Sequence, residues 1–190
     1  MQFKKYSTND FNIILLELKN LKAAVVNTDT IYGIISVDTS LIYKVKQRSH
    51  SKKIITFIND LNLIPDLNQI QIDFLKTFWP GGITIIKDSI SYRMPNDEFI
   101  LKLLDKLNIL YCSSANISNY DVIQNIDDAN LMFDVSKHFY DLFLIDNKIE
   151  NKSNIASTIV DIDKWKIIRY GHRFNDVEQY IDNLRVWNLI

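Results

Sequence analysis

Short β-branched runs alternate with amphipathic helical segments along almost the whole chain, and that alternation limits the folds open to it. After a hydroxyl cap at Ser7 or Thr8, the residues Phe11, Ile14, Leu15 and Leu18 recur at helical spacing. Ala23-Ala24-Val25-Val26 then reads as a buried strand, and Ile34, Ile35 and Val37 as a second strand leaving the polar turn between them. Further strands are expected at Ile54 to Ile58, Ile83 to Ile86, Ser91 to Met94, Ile109 to Cys112, Leu142 to Ile145, Ser157 to Ile162 and Trp165 to Arg169. Helices are expected at Leu41 to Lys46, Ile70 to Phe78, Asp97 to Leu107, Asp127 to Val135 and Asn175 to Leu184. The pattern predicts an α/β fold, a single domain over residues 1–190 with a twisted mixed β-sheet flanked by helices.

Charge and composition remove several classes of function. With 22 Lys and Arg against 23 Asp and Glu, the chain lacks the positive excess needed to wrap broadly on nucleic acid. No apolar run approaches the roughly 18 residues of a membrane span, and Met1-Gln2-Phe3-Lys4-Lys5 lacks the apolar core of a signal peptide. The single Cys112 forms no internal disulfide, so a cytoplasmic location without membrane contact is expected. His50, His138 and His172 have no metal-ligand spacing, so no protein-held metal is expected. Cys112 lies in an apolar strand and reads as an inert core thiol. Neither G-x-x-x-x-G-K-[ST] nor G-x-G-x-x-G occurs, so a nucleotide would have to be held by side chains and strand ends.

The stretch Asn27-Thr28-Asp29-Thr30-Ile31-Tyr32-Gly33 collects hydroxyls, a carboxylate and a glycine at the end of a core strand, where chemistry is expected. Only 4 glycines occur in 190 residues, Gly33, Gly81, Gly82 and Gly171, which suggests positions needing φ > 0 or close approach of a ligand. Lys46 and Arg48, beside Lys52 and Lys53, have the chemistry of a phosphate site, although such a run serves equally as a solvated turn. Ser114 and Asn116 flank Ala115 and point the same way from an extended backbone, to grip one ligand or to cap a turn. Arg93 and Arg169 add cations on otherwise apolar strands, and Ser157-Thr158 adds hydroxyls.

Taken in order, these blocks form a recognisable set. Thr28 to Gly33, Lys46-Gln47-Arg48, Trp79-Pro80-Gly81-Gly82-Ile83-Thr84, Arg93-Met94-Pro95, Ser114-Ala115-Asn116-Ile117-Ser118, Ser157 to Asp161 and Ile168-Arg169-Tyr170-Gly171 resemble the YrdC/TsaC family of L-threonylcarbamoyladenylate synthases, in its single-domain bacterial form. The resemblance implies a YrdC/RibB-like fold and a reaction of ATP, L-threonine and bicarbonate that gives threonylcarbamoyl-AMP and pyrophosphate, for tRNA threonylcarbamoyl-adenosine modification. It places Lys46 and Arg48 in catalysis, and Lys46, Arg48, Lys52, Ser114, Asn116 and Arg169 around ATP. Thr30, Tyr32, Arg93 and Ser157 fall to threonine. Mg²⁺ would come with ATP, and tRNA and the tRNA threonylcarbamoyl-transfer complex are the implied partners. The chain departs from the family at Asn27 and Gly82, where prolines are usual, at Asn119 in place of a glycine, and at Phe57 in place of a histidine near threonine. The competing readings are a non-catalytic RNA-binding module and a related ATP-dependent carbamoyl-transferring enzyme.

Overall fold

The computed structural model describes residues 1–149 and 152–190. Its elements run β1 (Lys5–Ser7), α1 (Phe11–Lys19), β2 (Ala23–Val26), β3 (Gly33–Ser36), α2 (Thr39–Lys46), β4 (Ile55–Phe57), α3 (Gln69–Phe78), β5 (Ile83–Lys87), β6 (Ile90–Arg93), α4 (Glu98–Leu107), β7 (Leu110–Ser114), α5 (Ala129–Met132), α6 (Val135–His138), β8 (Leu142–Asp146), β9 (Thr158–Asp161), β10 (Lys166–Arg169) and α7 (Phe174–Val186). Among the described residues, these strands join one ten-stranded sheet in the order β1-β8-β2-β3-β7-β4-β6-β5-β9-β10. The sheet is mixed: β1–β8, β2–β8, β4–β6 and β5–β9 pair in parallel, and the remaining neighbours antiparallel. No helix among the described residues is long and apolar enough to cross a membrane.

Side chains on a strand alternate between faces, and that period of two sorts the core. Ala24, Val26, Ile35 and Leu110 face Ile14 and Leu18 of α1 and Ile100, Leu103 and Leu104 of α4. Ala23, Val25 and Ile34 face the opposite way, onto Leu41, Ile42 and Val45 of α2 and Ala129 of α5. Ile83, Ile85, Tyr92 and Val160 pack against Phe74, Leu75 and Phe78 of α3 and Val177, Ile181 and Leu184 of α7. The helices start where the sequence provides a cap. Asp38 accepts from the Ser40 amide at 2.9 Å before α2, Asn68 and Gln71 form a reciprocal box before α3, and Asp97 accepts from the Ile100 amide at 2.9 Å before α4.

Three features differ from the sequence expectation. β1 has only three residues and pairs with β8, far away in the chain, so no local pattern announces it. The helix expected over Asp127 to Val135 is broken at Phe133, whose backbone is extended at φ −106° and ψ 138°. Asp134 then caps a new turn by accepting from the Ser136 amide at 3.1 Å and the Lys137 amide at 3.3 Å. Finally, none of the glycines has a positive φ, whereas Asn119, at a glycine position of the resembled family, does, at 72°.

The glycines mark close approach of chain to chain instead. A Cβ on Gly171 would run into the carbonyl oxygen of Ala156 and lie 2.7 Å from the Ser157 carbonyl carbon, both backbone atoms that cannot rotate away. Gly171→Ala is expected to cost about 2–4 kcal/mol, read as a lower midpoint of urea unfolding with unchanged slope.

Candidate active site

One face of the sheet, from β3 across to β10, is hollowed into a cavity of about 370 Å³. Strand alternation delivers its walls: Cys112 and Ser114 from β7, Ile55 from β4, Ser91 and Arg93 from β6, Ile86 from β5, Ser157 just before β9 and Ile159 within it, and Arg169 from β10. The loop between β2 and β3 arches over this face and adds Thr28, Thr30, Ile31 and Tyr32, while the segment after α2 adds Arg48, Lys52 and Lys53. Five cationic side chains line the cavity, Arg48, Lys52, Lys53, Arg93 and Arg169, and no described lining residue is acidic.

The arching loop is pinned at its crest. Arg93 is 3% exposed and donates from Nε to Gly81 O at 3.0 Å, from Nη1 to Thr30 Oγ1 at 3.0 Å, and from Nη2 to Asp29 Oδ1. The other oxygen of Asp29 accepts from the Asn96 amide at 3.1 Å. Thr28 Oγ1 donates to Ile31 O at 2.6 Å and lies 3.1 Å from Thr30 Oγ1, which turns both hydroxyls inward from the chain. Gly33 keeps the loop against β7, because a Cβ there would lie 3.0 Å from Cys112 Sγ. Behind the crest, Asp97 has its carboxyl pushed up to about 6 by burial and by the nearby Asp29.

At the α2 end the geometry is an internal clamp. Lys46 is 0% exposed, and its ammonium donates to Asn116 O at 2.6 Å, to Asn116 Oδ1 at 3.0 Å and to Ser114 O. Ser114 Oγ in turn donates to Asn116 Oδ1 at 2.6 Å. Burial, with Arg48 and Lys52 beside it, pushes the Lys46 ammonium down to about 7. Gln47 at φ 48° ends α2 and turns Arg48 into the cavity, where its guanidinium donates to Lys53 O at 3.0 Å. Lys52 reaches Asn119 Oδ1 at 3.4 Å and Lys53 reaches Ser89 O at 2.6 Å, so the two ammoniums span the mouth.

Of the residues singled out in the sequence, Thr30, Tyr32, Arg48, Lys52, Arg93, Ser114, Ser157 and Arg169 line one cavity. Lys46 and Asn116 stand directly behind Ser114 and do not line it. Arg169 lies against Ser157, donating to Ser157 O at 2.8 Å and Ser157 Oγ at 2.9 Å, and Thr84 Oγ1 lies 2.8 Å from that hydroxyl. Phe57 is buried with its ring centroid 5.5 Å from the Arg93 guanidinium carbon. Cys112 lines the wall, but burial pushes its thiol up to about 12, which leaves it no thiolate at neutral pH. Asp29 belongs to the stretch where the sequence places chemistry, as a carboxylate between two hydroxyls, but its pairing with Arg93 is visible only in the structure.

The fold and site define an α/β protein with a cavity lined by five cations and by hydroxyls at strand ends, without a glycine-rich phosphate loop. The chain belongs to the Sua5/YciO/YrdC family, whose model, described as telomere recombination, matches residues 17–171. A Mycoplasma genitalium protein, uncharacterized MG259, is 29% identical over 182 residues, covering 88% of this chain and 39% of its own length. This chain therefore spans about two fifths of that curated relative. The crystal structure of P. abyssi Sua5 complexed with L-threonine superposes with a TM-score of 0.78 at 18% identity, over 95% of this chain and 61% of the other. E. coli YciO superposes with a TM-score of 0.73 at 17% identity, over 90% and 96%. At these identities the structures share the fold.

Proposed function

We propose that this chain is a threonylcarbamoyl-AMP synthase, forming threonylcarbamoyl-AMP and pyrophosphate from L-threonine, bicarbonate and ATP. The observation that carries the reading is the cavity wall of five cations, with no carboxylate among its described residues and with the hydroxyls of Thr28, Thr30, Ser114 and Ser157 set between them. Attack of a carboxylated amino acid on an α-phosphate brings two anions together, so the barrier falls through alignment and positive charge more than through acid–base work. The family membership and the threonine found in P. abyssi Sua5 support the choice of substrate.

In this reading Arg48, Lys52 and Arg169 receive the ATP phosphates, and Arg93, Thr30, Tyr32 and Ser157 hold threonine. Lys46, through Asn116 and the Ser114 carbonyl, fixes the strand end on which the nucleotide rests. Among the described residues no group of three His, Cys, Asp or Glu side chains comes together to hold a metal ion. Mg²⁺ would therefore be held by phosphate oxygens and water and arrive as the ATP complex. The product would pass to the machinery that transfers the threonylcarbamoyl group to tRNA.

Pyrophosphate release tests the reading, with threonine and bicarbonate each added or withheld in the presence of ATP and Mg²⁺. Release that needs both is the expected result. Release supported equally by carbamoyl phosphate in place of bicarbonate would instead assign the cavity to a related carbamoyl-transferring enzyme, and ATP binding without any pyrophosphate would overturn the synthase assignment.

A further inference from the structure

The five cations of the cavity wall are not partnered alike. Arg48 donates to the carbonyls of Lys52 and Lys53, Lys52 to Asn119 Oδ1, Lys53 to Ser89 O, and Arg169 to Ser157. All of these acceptors are neutral, so four positive charges stand uncompensated among the described residues. Arg93 alone of the five, within the same residues, is paired with a carboxylate, that of Asp29, and both side chains are over nine-tenths buried. The cavity is thus strongly cationic over most of its wall and close to neutral at one end.

We infer that Asp29 makes the Arg93 end of the cavity selective for a zwitterion, an amino acid carrying its ammonium as well as its carboxylate. Arg93 has two further N–H groups beyond its three anchoring bonds, available to a ligand carboxylate. A bare arginine in such a dry setting would bind any carboxylate and would gain more from a purely anionic one. With Asp29 one layer behind, the local charge is balanced, and a ligand that brings one positive and one negative charge fits it best. Asp29 acts through Arg93 and through its own field, and does not itself line the wall. The pairing also favours transfer along the cavity. Once the amino group has become a carbamate, its attraction to Asp29 turns into repulsion, and the nearest uncompensated cations are those on the phosphate side.

The inference rests on the placing of the amino acid at Arg93, and binding alone can test it. The affinities of three ligands of matched shape are to be compared by calorimetry: L-threonine, 2,3-dihydroxybutanoate, in which a hydroxyl replaces the ammonium, and threoninamide, in which the carboxylate charge is removed. Threonine is expected to bind at least tenfold more tightly than either. In Asp29→Asn the preference for threonine over the hydroxy acid should shrink by tenfold or more, while ATP affinity stays within twofold. Equal binding of threonine and hydroxy acid by the unaltered protein overturns the inference, whether or not the variant folds, as does failure of all three to bind. An unchanged preference in a folded Asp29→Asn variant overturns it too. If pyrophosphate release needs threonine while the preference is absent, the selectivity inference falls alone. A clear zwitterion preference without pyrophosphate release removes the proposed reaction and leaves the inference standing.

Discussion

Replacing Lys46 by methionine is expected to lower ATP-dependent turnover on the order of 100-fold and to cost about 2–4 kcal/mol of stability. The side chain is fully buried, and its loss strands the Asn116 and Ser114 carbonyls that the ammonium now satisfies. A surface phosphate ligand would leave stability untouched, so the two readouts together identify the clamp. The pH dependence is distinctive. Burial holds the Lys46 ammonium at about 7 in the folded chain against an ordinary 10.5, so between those values the unfolded chain binds more protons. Stability of the wild type relative to Lys46→Met should therefore rise with pH above 7, at up to about 1.4 kcal/mol per unit. Turnover should fall over the same range as the charge behind Ser114 is lost. Urea unfolding and pyrophosphate release measured at pH 6.5 and 9 check both trends, and parallel curves for wild type and variant would remove Lys46 from either role.

Arg93→Lys is expected to be nearly as damaging as outright removal, with threonine-dependent turnover falling on the order of 10² to 10³-fold. One guanidinium reaches Gly81 O, Thr30 Oγ1 and Asp29 in three directions at once, and a single ammonium on a flexible stem cannot keep that geometry. The arching loop would lose its pin, and Asp29 would be left partly unpaired in a buried setting, a loss of about 3–5 kcal/mol if the pair is broken completely. Steady-state kinetics should put the defect in the threonine dependence, while ATP affinity measured directly changes little. An unaltered threonine dependence would place the amino acid elsewhere.

Much of the sheet is legible because its strands carry their own signal. Ala23 to Val26 is apolar at every position, as befits a strand covered on both faces, and the Thr28 to Gly33 turn comes after it without ambiguity. β1 is not legible, since Lys5, Tyr6 and Ser7 become a strand only by lying beside Leu144, Ile145 and Asp146. The break at Phe133 is hidden as well: the apolar pattern continues through it, and Asp134 decides the matter by capping the next helical turn. The glycines stand out by their positions, but of the two reasons the sequence offers for them, special backbone angles and close approach, the first does not apply, since none has a positive φ. Gly33 does line the cavity, whereas Gly171 is crowded by the carbonyl of Ala156, a contact that no local pattern announces.

The site divides along the same line. Arg48, Ser114 and Arg169 are legible as isolated cations and hydroxyls at strand ends, and the family resemblance gathers them. Their division of labour requires three dimensions. That Lys46 looks inward while Arg48 looks out depends on the left-handed turn at Gln47, and that Arg93 is neutralised while Arg169 is not depends on an aspartate 64 residues away.

The wall of the cavity is drawn from Thr28 at one extreme to Arg169 at the other, and its strands are stitched across long intervals, Val25 beside Leu144 and Thr84 beside Ile159. Three of the five cations, Arg48, Lys52 and Lys53, lie close together in the first third of the chain, Arg93 follows, and Arg169 comes last, on β10. The wall is therefore complete only once β10, which carries Arg169, has paired with β9. A chain so arranged folds at the pace of its long loops.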